Sequence, residues 1–561
     1  MAAAELRRQL ERVASELGAP GTDFQLVRPR VPEHGDLATN LALLLANRVG
    51  RPARALAEEI LARLDLPAAG IASAEVAGPG FINFRLHKGL LENRLAEILA
   101  ADRAYGRSAT GEGRRIIVEF VSANPTGPLH VAHGRGAALG DAIANLLVWT
   151  GHEVTREFYV NDAGVQIEKL ALSLEARWLQ LQDTPAEIPE GGYHGEYLID
   201  LAREVEATAG DELRALGPED RRAWLRRYAV ERLRAEQERD LRDFRVYFDS
   251  WYPESRLYAE TKIQDTLREL EERGLTYRHE GALWLRTSAF GDDKDRVLVK
   301  RDGTYTYFLP DIAYHREKAR RGFDHAVNVW GADHHGYVPR MQAALAALGL
   351  RDFLEVELVQ MVRILRGGEE VRLSKRAGEY VTLRELFEET GVDVARYFFL
   401  MRRGDAQMTF DLDLALDQSE KNPVYKVQYA HARMMSIFRR AGIDPATITA
   451  QGVDLGRLTV PAEQEIIKQL GRFPELVERA AESRAPHMVC DYLEETGGLV
   501  NAWYHAGNPN RNPELAVLVP DPALRAARLV LARAIQIVLR NGLELLGIAA
   551  PERMERAELA A

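Results

Sequence analysis

The stretch that decides the fold spans residues 115–136 and reads RIIVEFVSANPTGPLHVAHGRG. Its first part, residues 116–121, is mostly apolar and β-branched, which predicts a strand buried on both faces of a parallel sheet. The Asn-Pro-Thr-Gly-Pro run that follows forbids regular structure. Apolar residues then recur at helical spacing over residues 139–147, and a second strand is predicted at residues 153–160. This stretch and the residues that follow it are therefore predicted to form a strand–helix–strand unit of an α/β fold.

Two histidines follow the first predicted strand. In parallel sheets, ligands bind beyond the carboxyl ends of strands, so the loop 122–128 and the next helical turn are expected to line a site. His130 and His133 share one helical face there, the N–H groups of a helix start favour a phosphate, and Gly134 and Gly136 allow close approach. An isolated His-x-x-His is more often a metal pair or two polar residues at a helix start. Here the pair lacks the glutamate of His-Glu-x-x-His and a nearby third ligand, which favours a phosphate site.

The histidine motif resembles a known element. Residues 130–133, His-Val-Ala-His, resemble the ATP-binding HIGH element of class I aminoacyl-tRNA synthetases. The longer string EFVSANPTGPLH, at residues 119–130, is similar to the form found in arginyl-tRNA synthetases, and matching segments run from about Gly35 to Met554. Ala132 departs from the family, which usually has glycine under the adenine ring, so its methyl group is expected to loosen or shift ATP.

Length and composition fit a globular protein of two to four domains. The chain has 561 residues, of which 46% are hydrophobic and 28% charged. Its one cysteine, Cys490, has apolar neighbours, so we expect a core thiol, no disulfide and a cytoplasmic location. No apolar run reaches the roughly 20 residues of a membrane helix, and no signal peptide is recognisable, so no membrane association is expected. The net charge of −11 lowers the expectation of a nucleic-acid partner without excluding local basic surfaces.

Residues 1–95 are predicted to form a small α+β domain. An amphipathic helix comes first, a second is opened by Gly-Asp-Leu-Ala-Thr-Asn at residues 35–40, and a third is expected near residues 56–66. Two short strands follow around residues 74–76 and 81–86. The string at residues 35–40 and the Gly-Phe-Ile-Asn-Phe string at the second strand resemble the N-terminal extension of arginyl-tRNA synthetases. This resemblance implies contact with the corner of the L-shaped tRNA.

The central region, residues 96–416, is predicted to be a Rossmann-like parallel-sheet catalytic domain with an insertion at about residues 166–274. The insertion is predicted to be helical and densely charged, and its most basic run, residues 221–227, reads RRAWLRR. Such a run is more often a solvated face than an RNA contact, and we favour the solvated face. The resemblance implies that the insertion connects the two halves of the nucleotide-binding fold and that residues 248–255 mark its far side.

Three candidate site residues lie near the next predicted strands. These strands are expected at residues 282–286, 297–299 and 326–330. The string GTYTYFLPDIAYH, residues 303–315, contains Tyr307 and Asp311, and from spacing alone Asp311 is a helix cap. The resemblance implies instead that both face the side chain of the substrate. It also implies an arginine contact for His334, which aligns with a position where some relatives have glutamine.

A polar loop follows another apolar strand, which is expected to end at residues 360–362. The loop reads VRLSKRAGE, residues 371–379, and resembles the second class I element, KMSKR. Arg372 stands at the first lysine of that element, whereas Ser374 and Lys375 are retained. A basic loop is usually solvated surface, but its combination with the histidine motif indicates an ATP site.

Residues 417–561 lack strand patterns and are predicted to form an all-α bundle. Its longest helices are expected at residues 425–438, 463–481 and 523–546. The strings YKVQYAHAR and LLGIAAPERM in this region resemble the anticodon-binding domain of arginyl-tRNA synthetases. The predicted fold class is therefore α/β, with a small α+β N-terminal domain and an all-α C-terminal bundle.

The resemblance implies an arginine–tRNA ligase. Such an enzyme uses ATP to convert L-arginine to arginyl-adenylate and transfers arginine to the 3′ end of its tRNA, releasing AMP and pyrophosphate. ATP is expected as a substrate with Mg²⁺ held through phosphates and water, without a dedicated protein metal site. A monomer is expected. The resemblance also implies that tRNA must bind before the adenylate forms.

The resemblance also assigns site residues. The catalytic residues implied are His130, His133 and Lys375. The ATP-binding residues implied are Ser122, His130, His133, Gly134, Met361, Val362, Ser374 and Lys375. The arginine-binding residues implied are Glu119, Asn124, Tyr307, Asp311 and His334. These residue types fit, because developing charge on phosphate needs N–H donors and cations, and a guanidinium group calls for rigidly held carboxylates.

Two alternatives remain open. A different class I synthetase, or a small-molecule nucleotidyltransferase with the same His-x-x-His fold, would share the ATP site but lack the acidic pocket and the terminal domains. A non-catalytic tRNA-binding paralogue is suggested by Ala132 and Arg372. The joint retention of both histidines and Lys375 argues against that paralogue.

Overall fold

The computed structural model describes residues 2–27, 29, 34–371, 381–508 and 510–554. They form two compact units. The small unit comprises Met1–Arg103, Ile437–Gly471 and Ala502–Ile537, and the large unit comprises Ala104–Ser436, Arg472–Asn501 and Val538–Ala561. No helix in the described part of the chain is both long and apolar enough to cross a membrane.

The strands are short, and most belong to the first two thirds of the chain. Within the described residues they are β1 (Leu26–Val27), β2 (Leu37–Thr39), β3 (Ile71–Ala77), β4 (Phe81–Leu86), β5 (Arg115–Glu119), β6 (Glu153–Val160), β7 (Ser250–Pro253), β8 (Thr276–His279), β9 (Ala282–Leu285), β10 (Arg296–Val299), β11 (His325–Gly331), β12 (Leu354–Val359), β13 (Val362–Arg366), β14 (Glu369–Glu370) and β15 (Met408–Asp411).

The helices occur along the whole described chain and alone make up its last part. They are α1 (Ala2–Glu16), α2 (Leu41–Val49), α3 (Ala53–Ala62), α4 (Lys88–Ala101), α5 (Val131–Trp149), α6 (Val165–Gln180), α7 (Glu196–Ala215), α8 (Pro218–Asp243), α9 (Ser255–Ala259), α10 (Lys262–Glu272), α11 (Phe308–Arg320), α12 (Val338–Ala347), α13 (Leu383–Thr390), α14 (Val392–Leu400), α15 (Leu412–Leu416), α16 (Pro423–Ala441), α17 (Pro461–Gly471), α18 (Phe473–Glu482), α19 (His487–Ala506) and α20 (Pro522–Leu545).

The small unit contains an antiparallel sheet in the order β1-β2-β4-β3, with a core that α1, α2 and α3 share. The helix predicted to open at residues 35–40 begins only at Leu41, so that prediction is wrong for residues 37–39. Those residues form β2, because Leu37 and Thr39 pair with Phe84 and Ile82 of β4. A three-residue strand is recognisable only through its partner, which lies elsewhere in the sequence.

The large unit contains a five-stranded parallel sheet in the order β12-β11-β5-β6-β7. β5 lies in the middle, and Ile116, Ile117 and Val118 are buried, as predicted for a strand covered on both faces. Ile117 packs into a core shared with α11 and α12. Against α5, a Cβ on Gly140 would lie 2.2 Å from Cγ of Phe120, so only glycine fits there. The predicted α/β class is confirmed.

Two predicted segments of the large unit differ from the structure. The strand expected to reach residue 121 ends at Glu119, because Val121 and Ser122 have left-handed backbones with φ of +67° and +41°. The prediction that the insertion is helical through residue 274 is wrong at β7, which is a strand that pairs with β6 at the sheet edge. Its helices α6, α7 and α8 do share a core of their own.

Two further boundaries differ. The strand expected to end at residues 360–362 is two strands, because β12 stops at Val359 and β13 starts at Val362. The single helix expected over residues 463–481 is two helices, α17 and α18, separated at Arg472. Pro474 causes that break, since proline has no N–H to continue the helix and is tolerated only in a first turn. The region beyond residue 417 is otherwise helical, as predicted.

A buried arginine joins distant parts of the large unit. Arg396 is completely buried, and its Nη2 lies 2.6 Å from Oδ2 of Asp141. Its remaining N–H groups donate to the carbonyls of Phe244, Arg245 and Leu546 at 3.0–3.3 Å. All five guanidinium hydrogens therefore have acceptors, which offsets the cost of burying the charge.

Replacing Arg396 tests how far the large unit depends on this side chain. Arg396→Ala removes the buried ion-pair partner of Asp141 Oδ2 and the donor to three carbonyl groups, so we expect the free energy of unfolding to fall by about 3–5 kcal/mol. The measurement is the urea and thermal unfolding midpoint of the full chain. The matched control is Arg214→Ala, because Arg214 is an exposed arginine paired with Glu206, and it should change the midpoint little. Equal midpoints for the two variants would contradict the prediction.

Candidate active site

The two histidines cap the helix α5 reciprocally. Nδ1 of His130 accepts from the backbone N–H of His133 at 3.4 Å, and Nδ1 of His133 accepts from the backbone N–H of His130 at 3.3 Å. The rings stack with 3.6 Å between centroids. Because each Nδ1 is an acceptor, each neutral ring carries its proton on Nε2.

The surroundings keep both rings uncharged. Burial lowers the pKa of His130, and burial followed by the charge of His130 lowers the pKa of His133 to about 3. Both rings are therefore neutral Nε2–H donors near neutral pH. A helix start with two such donors suits an anion that accepts hydrogen bonds, such as a phosphate.

The chain that follows the predicted KMSKR loop is bonded to the histidine segment. The N–H of Val131 donates to the carbonyl of Val381 at 3.2 Å, and the N–H of Leu383 donates to the carbonyl of Leu129 at 2.8 Å. Ser374 and Lys375, which the sequence places in the ATP site, lie outside the described residues.

Gly134 has a packing role that the sequence did not indicate. A Cβ at this position would lie 2.5 Å from Cδ1 of Leu383 and 3.2 Å from Cε2 of Phe399. The glycine therefore lets α5 approach α13 and α14 closely. Its assignment to ATP stays a prediction.

A second buried arginine connects α5 with the chain next to Met361 and Val362, which are predicted to bind ATP. Nη1 of Arg135 donates to the carbonyl of Gln360 at 2.9 Å, and Nη2 donates to the carbonyl of Arg403 at 2.7 Å. The next residue, Met361, is 72% exposed, and Val362 is half-buried. The structure thus presents Met361 as an exposed apolar side chain just beyond β12.

Glu119 ends β5 in a buried hydrogen-bond network. Its Oε2 lies 2.5 Å from Nζ of Lys318 and accepts from Nδ2 of Asn328 at 2.8 Å. Its Oε1 accepts from the Ser122 hydroxyl at 3.0 Å, and that hydroxyl accepts from the N–H of Tyr159 at 3.1 Å. Lys318 is completely buried, so the charge of Glu119 is balanced inside the protein.

Asp311 faces other acidic groups and is no helix cap. The Tyr337 hydroxyl donates to its Oδ2 at 2.6 Å. Burial raises the pKa of Asp311 to about 7 against the lowering by the Tyr337 hydrogen bond, and the charges of Glu254 and Glu119 raise the pKa by smaller amounts. The ionised form of Asp311 is unfavourable without a nearby cation, so the side chain is suited to bind a cationic ligand.

Glu254 is the site residue that the sequence analysis missed. It directly follows β7, and burial, followed by the charge of Asp162, raises its pKa. Its charge in turn raises the pKa of Asp311, so the two carboxylates interact electrostatically. β7 lies in a segment predicted to be helical, and therefore no strand end was expected there.

The other residues predicted to contact arginine, Asn124, Tyr307 and His334, lie on three different segments of the chain. Nδ2 of Asn124 donates to Oε1 of Gln166 at 2.5 Å, which joins the loop after β5 to α6. Tyr307 precedes α11 and is 78% exposed. His334 has Nδ1 3.2 Å from Oδ1 of Asp333, and its charge acts on Asp311. The structure therefore brings Glu119, Asp311 and His334 into one electrostatic neighbourhood.

The site thus has a part suited to phosphate and a part suited to a cation. The neutral imidazoles at the start of α5 form the first, and the carboxylates Asp311 and Glu254 form the second. Among the described residues, no group of three or more His, Cys, Asp or Glu side chains is arranged to hold a metal ion.

Comparison with known proteins identifies the family of the chain. Three family profiles match: the arginyl-tRNA synthetase N-terminal domain over residues 3–86, the catalytic domain of class I (R) tRNA synthetases over residues 94–402, and the DALR anticodon binding domain over residues 427–554. The chain belongs to the arginyl-tRNA synthetase family. The resemblance inferred from the sequence is therefore confirmed.

Relatives in this family match along almost the entire chain. The arginine–tRNA ligase of Geobacillus kaustophilus is 47% identical over 98% of both chains, and that of Bacillus subtilis is 45% identical over 94% of both. The solved arginyl-tRNA synthetase of Thermus thermophilus superposes with a TM-score of 0.78 at 26% identity, covering 99% of this chain and 100% of that one. The catalytic-domain match includes every site residue described above.

The protonation of the two histidines can be measured directly. We expect His130 and His133 to be neutral Nε2–H tautomers at pH 7 to 8, and His133 to remain neutral down to pH 5, because burial and the reciprocal caps disfavour the charged form. Long-range ¹H–¹⁵N spectra of the imidazoles in the full chain report both properties, with His130→Asn and His133→Asn used for assignment. A titration midpoint near 6.5, or an Nδ1–H tautomer, would contradict the prediction.

Proposed function

We propose that the chain is an arginine–tRNA ligase that activates L-arginine with ATP and transfers it to the 3′ end of its tRNA. The observation that carries this proposal is the electrostatically interacting pair of carboxylates, Asp311 and Glu254, in a chain whose relatives of matching length are arginine–tRNA ligases. A cation-binding pocket beside a phosphate-binding helix start is what joining arginine to ATP requires.

Adenylate formation needs no protein nucleophile. The arginine carboxylate attacks the α-phosphate of ATP, and pyrophosphate leaves with Mg²⁺ as part of the substrate complex. The Nε2–H groups of His130 and His133 donate to phosphate oxygens as charge develops on them. Lys375 is proposed to supply a cation there.

Adenine is proposed to lie near Met361 and Val362, since an exposed apolar side chain suits an aromatic base. Ser122, Gly134 and Ser374 complete the proposed ATP contacts. Arg135 helps indirectly, because it fixes the Gln360 carbonyl relative to α5. A substitution on either side of this link, near the proposed adenine contacts or near the histidines of α5, is therefore expected to affect the placement of ATP.

The side chain of arginine is proposed to pair with Asp311 and Glu254. Glu119 already pairs with Lys318, so it contributes mainly as a fixed hydrogen-bond acceptor beside Asn124. Tyr307 and His334 are proposed to close the pocket. A planar guanidinium group can donate to two carboxylates at once, whereas the point charge of lysine cannot match both.

The remaining regions are proposed to bind tRNA. Residues 1–95 would contact its corner, residues 96–416 carry the chemistry with the insertion at 166–274, and residues 417–561 would bind the anticodon. A cytoplasmic monomer is proposed.

The direct test is ATP–pyrophosphate exchange with each standard amino acid, with and without tRNA. We expect arginine to be the one amino acid that supports exchange. Exchange should also require tRNA for arginine, because this tRNA would favour the closed site. Exchange driven by another amino acid would overturn the proposed specificity. Full exchange in RNA-free protein would remove the tRNA requirement but leave the ligase activity standing.

The raised pKa of Asp311 predicts a pH dependence. Below about pH 7 the Asp311 carboxyl becomes neutral and loses its attraction to the guanidinium group, so the KM for arginine should rise by up to tenfold per pH unit. Above pH 8 it should be constant. Asp311→Asn should raise the KM for arginine at pH 8 and abolish its dependence on pH between 6 and 8.

Stability separates this effect from misfolding. A raised carboxyl pKa means that the charged form is the less favourable one in the folded state, so Asp311→Asn should be at least as stable as the parent at pH 8. The KM for ATP is the second control and should change little. A parent KM for arginine that does not vary between pH 6 and 8 would refute the assignment of Asp311.

A further inference from the structure

Polar side chains lie at the carboxyl ends of three neighbouring strands of the parallel sheet. Glu119 ends β5, Tyr159 is the second-last residue of β6, and Glu254 directly follows β7. In the sheet register Glu119 lies opposite Glu157, and Tyr159 lies opposite Tyr252. Residues two apart on a strand share a face, so Glu119 and Tyr159 lie on the same face of the sheet.

The helix α11 covers this face and packs against the ring of Tyr159. Between centroids, the ring lies 4.3 Å from the ring of Tyr314 on α11 and 6.4 Å from that of Tyr252 on β7. The backbone N–H of Tyr159 donates to the Ser122 hydroxyl at 3.1 Å. Asp311 lies on the same helix, nearly one turn before Tyr314. Packing therefore fixes the side chain of Tyr159 beside the helix that carries Asp311.

The Tyr159 hydroxyl is buried next to the acidic pocket. In the described part of the chain it forms no hydrogen bond of good geometry. Burial raises the pKa of Tyr159, and the charges of Glu254, Asp311 and Glu119 raise the pKa further. The hydroxyl in turn lowers the pKa of Glu254, against the raising by burial and by Asp162. The group is therefore a protonated hydroxyl near three carboxylates.

An unpaired hydroxyl in this position indicates a missing ligand atom. Nearly all buried polar groups in proteins have hydrogen-bond partners, and one that lacks a partner destabilises the folded state. The hydroxyl of Tyr252 is also buried without a partner among the described residues, so burial alone does not identify a site. The charges that act on Tyr252 lie outside the acidic pocket and belong to Glu317, Arg256, Arg321 and Glu260. Tyr159 differs because its unpaired hydroxyl lies beside the carboxylates proposed to bind arginine.

We propose that Tyr159 is a specificity-determining residue, whose hydroxyl accepts a hydrogen bond from the guanidinium group of arginine and donates one to Glu254. A tyrosine hydroxyl is both a donor and an acceptor, so it can form both bonds at once. The inference rests on the proposed function, because it assigns a further contact to the substrate of that reaction. Carboxylates attract any cation, whereas a rigidly held acceptor beside them favours the planar fork of N–H groups over the point charge of lysine.

The test removes the hydroxyl and keeps the ring. The rate of charging tRNA with arginine is measured for the parent and for Tyr159→Phe in the full chain, with arginine and ATP varied in turn. A hydrogen bond to a charged group is lost, so the KM for arginine should rise by about 10–100-fold. The kcat and the KM for ATP should change little, because the hydroxyl lies away from the phosphate end of the site.

Tyr252→Phe is the matched control. It removes a second buried, unpaired hydroxyl from the neighbouring strand, outside the acidic pocket. Both variants should have thermal unfolding midpoints at least as high as that of the parent, because each loses a polar group without a partner. Tyr252→Phe should keep the KM of the parent for arginine. An unchanged KM in Tyr159→Phe, or an equal rise in both variants, overturns the assignment.

A measurement on the parent chain makes the test independent of how the variants fold. Tyrosines are labelled with ¹³C at Cζ, and the signals of Tyr159 and Tyr252 are assigned with the two phenylalanine variants. Saturating L-arginine should move the Tyr159 signal and leave the Tyr252 signal in place. L-Lysine at the same concentration should move neither. A Tyr159 signal that ignores arginine, or that responds equally to lysine, contradicts the proposed contact.

The outcomes separate this inference from the function on which it rests. If the parent charges tRNA with arginine while Tyr159→Phe keeps the KM of the parent, only the role of Tyr159 is wrong. If the parent itself fails to charge tRNA with arginine, the proposed function is what fails.

Discussion

The ion pair between Glu119 and Lys318 fixes the centre of the site. Burying two charges is costly, and here the cost is offset because Asn328 bonds both partners and Ser122 bonds the carboxylate. The pair joins the end of β5 to α11 and, through Asn328, to β11. The position of α11 also sets the position of Asp311, so one buried interaction aligns the loop after β5 with the acidic pocket.

The two parts of the site use opposite electrostatic means. The start of α5 presents uncharged imidazole donors, whose hydrogen bonds strengthen as a phosphate gains charge. The acidic pocket instead contains Asp311, whose ionisation is disfavoured by burial and by the charge of Glu254. In the proposed function a guanidinium group relieves that repulsion when it enters, so binding of the cation would gain free energy from an unfavourable empty state.

The sequence predicted those features that rest on local patterns. The apolar run before the Asn-Pro-Thr-Gly-Pro loop identified β5 and helical spacing identified α5, and the histidine motif predicts where a phosphate would bind. It could not identify β7, because a four-residue strand is defined by its pairing with β6, 93 residues away at Glu157 and Ser250. Glu254 was missed for that reason. The partners Lys318 and Tyr337 depend on tertiary packing and leave no local signal.

The order of strands has a consequence for the synthesis of the chain. β5 is flanked by β6 and β11, yet Glu119 and Asn328 are 209 residues apart in sequence. Translation proceeds at about 5–20 residues per second, so one edge of β5 remains unpaired for roughly 10–40 s before β11 is synthesised. An apolar strand with an unpaired edge is a template for aggregation during that interval. The strand at the centre of the finished site is thus prone to aggregate in the nascent protein until its partner β11 has been made.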